Sequence, residues 1–487
     1  MLNFRLFVTM ALLAAAGLAA AEPDPIEGLW CGKVTAPQGE AADIALEFRR
    51  EASGELGFKL YFPAMFTAGA SLGIPVEKSA TDDYAITPAF AIKLHRAGDT
   101  LTGTFSAGLL PLELHRGGTP PAPLPAPAGP PGPAPLWRYP LGAGTWAPPV
   151  VDDGVIYVGG GDGRFHAVNT ADGTAAWTWS GAAPIDGCAA LDADAVYFLD
   201  TRFNLVALDR RSGRLRWRVS LHNEFLAGRS APDNPTFNHR AATPLVQPGV
   251  IYAGSSDGGI YAIEAARGGK LWRYDAGAPV YSGIGLRDPD TLMFGTMDGS
   301  VVLLDRRTRT EVLRAKTGGG VVTTPVIAGD RLIVGSRDYQ LYAFNLGDGS
   351  VAWKFSYWFS WIESTPALRD GLLYIGGSDY ARVTAIDPAA GRARWGTIVG
   401  GMDWGTPLVT ERHVFTGTVN QNVPGTLIDH AAGLVKLDRA TGAIVWRLVL
   451  PKAAENKFAG YAGSLALAGD KVIAAGFDGE LVAYPAE

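Results

Sequence analysis

The chain has 487 residues, 47% of them hydrophobic, with 42 Lys+Arg against 48 Asp+Glu and a formal net charge of −6. That much apolar material builds at least one large core over two or more domains and excludes a disordered chain. The missing excess of positive charge excludes the electrostatic grip on phosphates that a nucleic-acid partner requires.

The chain opens with Arg5, an apolar run from Leu6 to Leu18, and small residues Ala19-Ala20-Ala21 ahead of Glu22. This is the pattern of a signal peptide over residues 1–21, and the run is shorter than the ~20 residues that span a bilayer. A periplasmic or secreted protein without a transmembrane anchor after cleavage is expected. The site carries no cysteine to accept a lipid. Cys31 and Cys188 are the two cysteines, too few for a disulfide framework or a cysteine-based zinc site. Two separate thiols are expected, with a pairing across domains as the alternative.

Residues 22–118 read as a small β-rich domain, a barrel or a sandwich. Ile44-Ala45-Leu46-Glu47-Phe48, Leu56-Gly57-Phe58-Lys59-Leu60 and Leu110-Pro111-Leu112-Glu113-Leu114 place large apolar side chains at every second position, which is the strand period. Gly28-Leu29-Trp30-Cys31-Gly32 and Leu101-Thr102-Gly103-Thr104-Phe105 resemble the β-rich accessory domain that precedes the catalytic domain in some secreted hydrolases. Residues 119–135 are so rich in proline that they favour extended polyproline II and read as a semi-rigid linker.

From residue 136 to 487 the chain repeats. The best copies are Asp209-Arg210-Arg211-Ser212-Gly213-Arg214-Leu215-Arg216-Trp217 and Asp438-Arg439-Ala440-Thr441-Gly442-Ala443-Ile444-Val445-Trp446. Trp137, Trp177, Trp272, Trp353 and Trp395 fall at matching places and Leu313 fills the remaining slot, at successive intervals of 40, 40, 55, 41, 40, 42 and 51 residues. One four-stranded propeller blade takes roughly 40–45 residues. The two long intervals mark insertions near Leu221 to His239 and Val419 to Ala432. Within a unit, Asp162-Gly163 turns one strand into the next, and the turn recurs at Asp257-Gly258, Asp298-Gly299 and Asp478-Gly479, and as Asp338-Tyr339 and Asp379-Tyr380. An all-β, eight-bladed propeller follows. Its last unit stops after a third strand, so Leu136-Trp137-Arg138-Tyr139 is expected to supply the outer strand of the final blade and close the ring. The repeated Trp residues are expected to pack between blades with each indole N–H on a backbone acceptor.

The Asp-x-x-Thr-Gly-x-x-x-Trp repeat resembles the tryptophan-docking motif of quinoprotein alcohol dehydrogenases, the pyrroloquinoline-quinone-like propellers, and of their non-enzymatic BamB-like relatives. The resemblance covers about Leu136 to Ala486. It implies a non-catalytic binding or scaffold protein that recognises a small ligand or an envelope protein partner. The alternative it implies is a quinone-dependent dehydrogenase oxidising an alcohol or sugar, with pyrroloquinoline quinone and calcium as cofactors. Gly400-Gly401-Met402-Asp403-Trp404-Gly405 resembles family segments near the cofactor. The adjacent-Cys pair on which that family stacks its quinone is absent, and no cofactor is expected under the first reading.

Propellers bind ligands at the mouth of the central channel, so the loops entering the innermost strands are the place to search. Such entries are Thr243-Pro244, Thr365-Pro366 and Thr406-Pro407. Just upstream lie Trp146, Asp186, His239, Arg240, Tyr281, Thr323, Trp361, Glu363, Asp403, Trp404 and Tyr461, a ring of aromatic faces with a few polar groups, which is the composition of a binding site. Asp186, Glu363 and Asp403 offer oxygen ligands for a metal, and His239 with Arg240 would hold an anion. None of His222, His239, His413 and His430 has the spacing of a metal-ligand motif. Gly254-Ser255-Ser256-Asp257-Gly258 matches the G-x-S-x-G of hydrolases, but it lies in a repeated hairpin, whereas a nucleophile elbow needs strand, turn and helix. The counterparts of Ser256 are Gly161, Met297, Arg337, Ser378 and Phe477, and no hydrolase domain follows the N-terminal one.

Overall fold

The computed structural model describes residues 23–63, 70, 71, 75–86, 92–105, 110–122, 124–221, 242–421, 430–455 and 457–487. The expected signal peptide, His222, His239, Arg240 and most of both insertions lie outside these residues. Among the described residues there is no helix, hence none long and apolar enough to cross a membrane. The chain forms two compact units, one carried chiefly by residues up to Pro121 and the other chiefly by Ala122–Glu487.

The first unit is one nine-stranded sheet that follows chain order and curls until the first strand, Gly28–Thr35, pairs with the last, Leu110–Arg116. The sheet is a nearly closed barrel, open between the short strands Ala70–Ser71 and Glu77–Ala80. The expected alternation is present: Leu110, Leu112 and Leu114 are buried while Pro111 and Glu113 are exposed. Trp30 fills the interior and donates its indole N–H to the Ile26 carbonyl at 2.7 Å.

The second unit is a ring of eight sheets. Blades are numbered here by their innermost strands: Val150–Asp152, Ala190–Leu191, Leu245–Gln247, Gly285–Asp288, Val326–Ala328, Ala367–Arg369, Leu408–Val409 and Ala466–Ala468. The ring closes as the sequence requires. Strand Trp137–Pro140 pairs antiparallel with the last strand, Glu480–Pro485, with Trp137 opposite Ala483 and Tyr139 opposite Leu481, and Arg138 forms an ion pair with Glu480. The first and last segments thus complete blade eight together, which removes the free edge that a ring cannot tolerate.

The repeat motif is a blade-to-blade joint. Trp137, Trp177, Trp217, Trp353 and Trp395 donate their indole N–H to Thr170, Arg210, Ala265, Pro388 and Arg439 carbonyls at 2.9–3.2 Å. Each acceptor lies in the last corner of the following blade. That corner is built by the motif itself: Asp438 Oδ1 accepts from the Thr441 N–H at 2.8 Å and its hydroxyl at 2.7 Å, as Asp209 does from Ser212. The glycine then carries the ring. Gly213 has φ +68°, and a Cβ there would lie 2.5 Å from the Trp177 ring, so only glycine meets both demands. Where Leu313 replaces Trp, the contact at Gly349 relaxes to 3.4 Å.

Two features depart from the sequence reading. Tyr339 takes the positive φ of its hairpin, +71°, in place of glycine, but in blade six that conformation falls on Ala381, one residue beyond the expected Asp379-Tyr380. Blade seven also gains a strand: His413–Gln421 runs past its partner and pairs with Phe458–Gly460, Val419 opposite Gly460.

Candidate functional site

The residue immediately before each innermost strand is Pro149, Ala189, Pro244, Ile284, Pro325, Pro366, Pro407 or Leu465. Counting back from this anchor sorts the channel mouth into tiers. Residues one before it, Pro148, Cys188, Thr243, Gly283, Thr324, Thr365, Thr406 and Ser464, all line a single cavity of about 290 Å³. Those three before it do so too: Trp146, Asp186, Tyr281, Val322, Glu363, Trp404 and Ala462. One tier is thus mostly hydroxyls and small groups, and the other is aromatic, aliphatic or acidic. The hydroxyl tier also links blades, since Thr365 Oγ1 accepts from the Thr324 N–H at 3.1 Å and Ser464 Oγ from the Thr406 N–H at 2.8 Å.

Of the residues expected at the mouth, Trp146, Asp186, Tyr281, Glu363 and Trp404 are brought together. Asp403, Tyr461, Thr323 and Trp361 are not among the lining residues, and the reason is register. The fourth position before the anchor points into the blade, over the glycine that ends the second strand. There Ile185, Val280, Val321 and Ile362 pack on Gly159, Gly254, Gly295 and Gly335. Asp403 takes the same slot on Gly376, and Tyr461 takes it on Gly417. Tyr461 is buried and shares a 2.7 Å hydrogen bond with the Tyr484 hydroxyl, and burial raises its phenol. Asp403 is fully buried with no hydrogen-bond partner on either carboxylate oxygen. Burial pushes its carboxyl up to about 8, and the nearby Thr416 hydroxyl opposes this only in part. Thr323, two before the anchor, spends its hydroxyl on the Gly335 carbonyl at 3.2 Å.

Three of the mouth side chains lean on the second residue of the hairpin of the preceding blade, the position that includes Ser256. Phe477 packs edge-on against Trp146 with ring centroids 4.8 Å apart. Ser378 Oγ accepts from the Trp404 indole at 2.6 Å. Arg337 Nη2 lies 2.6 Å from Glu363 Oε1, with side-chain exposures of 11% and 5%, and its guanidinium stacks 4.8 Å over Trp361. Trp361 therefore supports the mouth from behind Arg337. Burial raises the Asp379 carboxyl to about 6, with the charge of Glu363 adding to the effect. Ser256 itself sits in the turn between strands Val250–Gly254 and Gly259–Glu264, so it has no nucleophile elbow.

Trp146 and Trp404 stack with centroids 5.1 Å apart and 29° between planes, and Phe458 meets both edge-on at 5.6 and 5.8 Å. This closed aromatic cluster bears on the quinone question. A planar cofactor on Trp404 needs an open indole face, but Trp146 lies across it. Calcium needs several oxygens, but Glu363 is committed to Arg337 and Asp403 points into the blade, which leaves Asp186 as the single expected carboxylate in the cavity lining. Cys31 and Cys188 are both free thiols, so no disulfide backs the site. Among the described residues, no group of three or more His, Cys, Asp or Glu is placed to hold a metal ion. The residues present do not fit pyrroloquinoline quinone with calcium.

A closed ring of Trp-docked blades around one cavity lined from all eight of them defines an eight-bladed propeller of the pyrroloquinoline-quinone-like class. The chain belongs to the family described as outer membrane protein assembly factor BamB, whose model matches residues 132–279, 256–359 and 357–487. It is 26% identical to the outer membrane protein assembly factor BamB of Yersinia pestis over 50% of this chain and 63% of that protein. It is 29% identical to the quinoprotein alcohol dehydrogenase PedH of Pseudomonas putida over 23% of this chain and 22% of that one. The chain spans between 41% and 63% of the length of the first BamB relatives it matches. The crystal structure of BamB from Moraxella catarrhalis superposes with a TM-score of 0.55 at 17% identity, over 72% of this chain and 97% of that one, which is a likeness of fold.

Proposed function

We propose that this protein is an exported, non-catalytic scaffold of the bacterial envelope that holds a segment of a protein partner at the mouth of its propeller, in the service of outer-membrane protein assembly. The observation that carries this is the state of the mouth: its carboxylate Glu363 is neutralised by Arg337 and its two indoles are stacked on each other. Groups already satisfied in this way form a preassembled recognition surface, which binds without the cost of ordering. The cavity has room for side chains of a peptide, with hydroxyls to meet its backbone. Family membership supports the same class.

The test is a photo-crosslinking amino acid in place of Val322, which lines the mouth with an aliphatic side chain. Adducts with outer-membrane assembly components in the native envelope are expected. Stoichiometric, calcium-dependent binding of pyrroloquinoline quinone with dye-linked alcohol oxidation would overturn the proposal.

A further inference from the structure

The Pro-rich stretch is more than a spacer. The Arg447 N–H donates to the Pro130 carbonyl at 2.9 Å, the Gly132 N–H donates to the Arg447 carbonyl at 2.8 Å, and Pro131 lies opposite Arg447 in parallel register. Arg447 belongs to Ile444–Val449, the outer strand of blade seven, and pairs on its other side with Val435. Its guanidinium donates to the Pro127 carbonyl. Among the described residues, this is the one outer strand of a blade with such an isolated bridge to a segment outside its own sheet.

We propose that the outer edge of blade seven is a recognition site for a polyproline segment, filled in cis by residues 127–132 and able to take a partner segment with the same Gly-Pro-Pro-Gly spacing. This stands independently of the mouth. The fit is specific at three glycines. A Cβ on Gly129 would lie 2.6 Å from Ile444 Cγ2, one on Gly132 would lie 3.0 Å from the Trp446 ring, and one on Gly400 would lie 2.7 Å from Pro127. The chemistry is complementary as well. Polyproline offers carbonyls and almost no donors, and Arg447 supplies both a backbone N–H and a guanidinium to two of those carbonyls. From Pro130 to Gly132 the one backbone donor is the Gly132 N–H, and it meets the Arg447 carbonyl. An aromatic ring beside an extended proline run is the recurring way such segments are bound. The exposed apolar Val449 and Val445 flank the seat, at 56% and 36% exposure, so an edge left bare would be open to pairing with another chain.

The full-length protein carrying Gly129→Val and Gly132→Val tests this, read by hydrogen exchange at the Arg447 amide. Exchange at Arg447 is expected to accelerate by roughly tenfold or more, while the inner strand Gly433–Asp438 keeps its protection. A synthetic peptide of residues 124–134 at millimolar concentration is expected to restore protection in the variant and to change nothing in the parent, where the tethered segment already exceeds that effective concentration. Arg447→Ala, which spares the glycines and the backbone N–H, removes the guanidinium contact to Pro127; a smaller acceleration is expected, with no further change on adding the peptide because the segment stays tethered, and it serves if the double variant fails to fold. An unchanged Arg447 amide in the double variant, or a peptide without effect on it, overturns the proposal. Protection regained merely by concentrating the variant would assign the edge to a second copy and also overturn it.

Discussion

Asp403 occupies a slot that four other blades fill with Ile185, Val280, Val321 or Ile362, so Asp403→Val is expected to stabilise the propeller. A buried carboxyl without a partner costs about 1–3 kcal/mol even when protonated, and valine returns apolar contact with Gly376. The effect should depend on pH in a definite direction. The folded state holds the proton up to about pH 8, whereas the unfolded chain releases it near the ordinary carboxylate value. Stability contributed by the proton is therefore complete below that ordinary value and is lost as pH rises toward 8. The parent should fall behind the variant by at most ~1.4 kcal/mol per pH unit across that window, then level off. Urea unfolding of both proteins at pH 5, 7 and 9, followed by Trp fluorescence, measures the gap. A gap that is constant with pH, or a variant less stable than the parent, would refute the reasoning.

Three further outcomes follow from the joints described above. Gly213→Ala and Gly349→Ala share a positive φ, +68° and +72°, but face Trp177 at 2.5 Å and Leu313 at 3.4 Å. Thermal unfolding should show a shared backbone cost of about 1 kcal/mol, with about 1–3 kcal/mol more at Gly213 for the clash. Arg337→Ala leaves the Glu363 carboxylate buried without its ion-pair partner and should cost about 3–5 kcal/mol in denaturant unfolding, whereas Arg337→Met combined with Glu363→Met should be close to neutral. Ser378→Ala removes the acceptor of the Trp404 indole. It should cost about 1 kcal/mol and reduce crosslinking from position 322 while the far-ultraviolet dichroism stays unchanged.

The architecture was legible because every blade solves the same problem with the same residues. Asp209, Ser212 and Gly213 build a corner, Trp177 rests on it, and the pattern recurs at Asp438, Thr441, Gly442 and Trp395. The closure by Trp137–Pro140 was legible for a related reason, since a final unit with three strands needs a fourth from elsewhere. The seating of the Pro-rich segment on blade seven was not. Composition reports that prolines favour an extended chain, but not that Gly129 and Gly132 let that chain approach Ile444 and Trp446 closely.

The channel mouth was half legible, and the missing half has a simple cause. In an extended loop, neighbouring residues face opposite ways, so one step along the chain exchanges the channel for the blade interior. Searching for aromatic and charged residues near each anchor finds Trp146, Glu363 and Trp404, but it also gathers Asp403 and Tyr461, which point into the blade. It passes over Val322 and Ala462 because they carry no chemistry of their own. The signal that separates them is in the sequence: the anchor before each innermost strand fixes the count, and the glycine ending the second strand, as at Gly335 or Gly376, marks what the fourth residue must cover. By that count Asp403 is a carboxylate in a position built for an aliphatic side chain, one residue from an indole at the mouth. A local rule broken at such a place is where a propeller of uniform blades departs from uniformity, and the pH dependence of Asp403→Val measures how much stability the protein gives up to keep it.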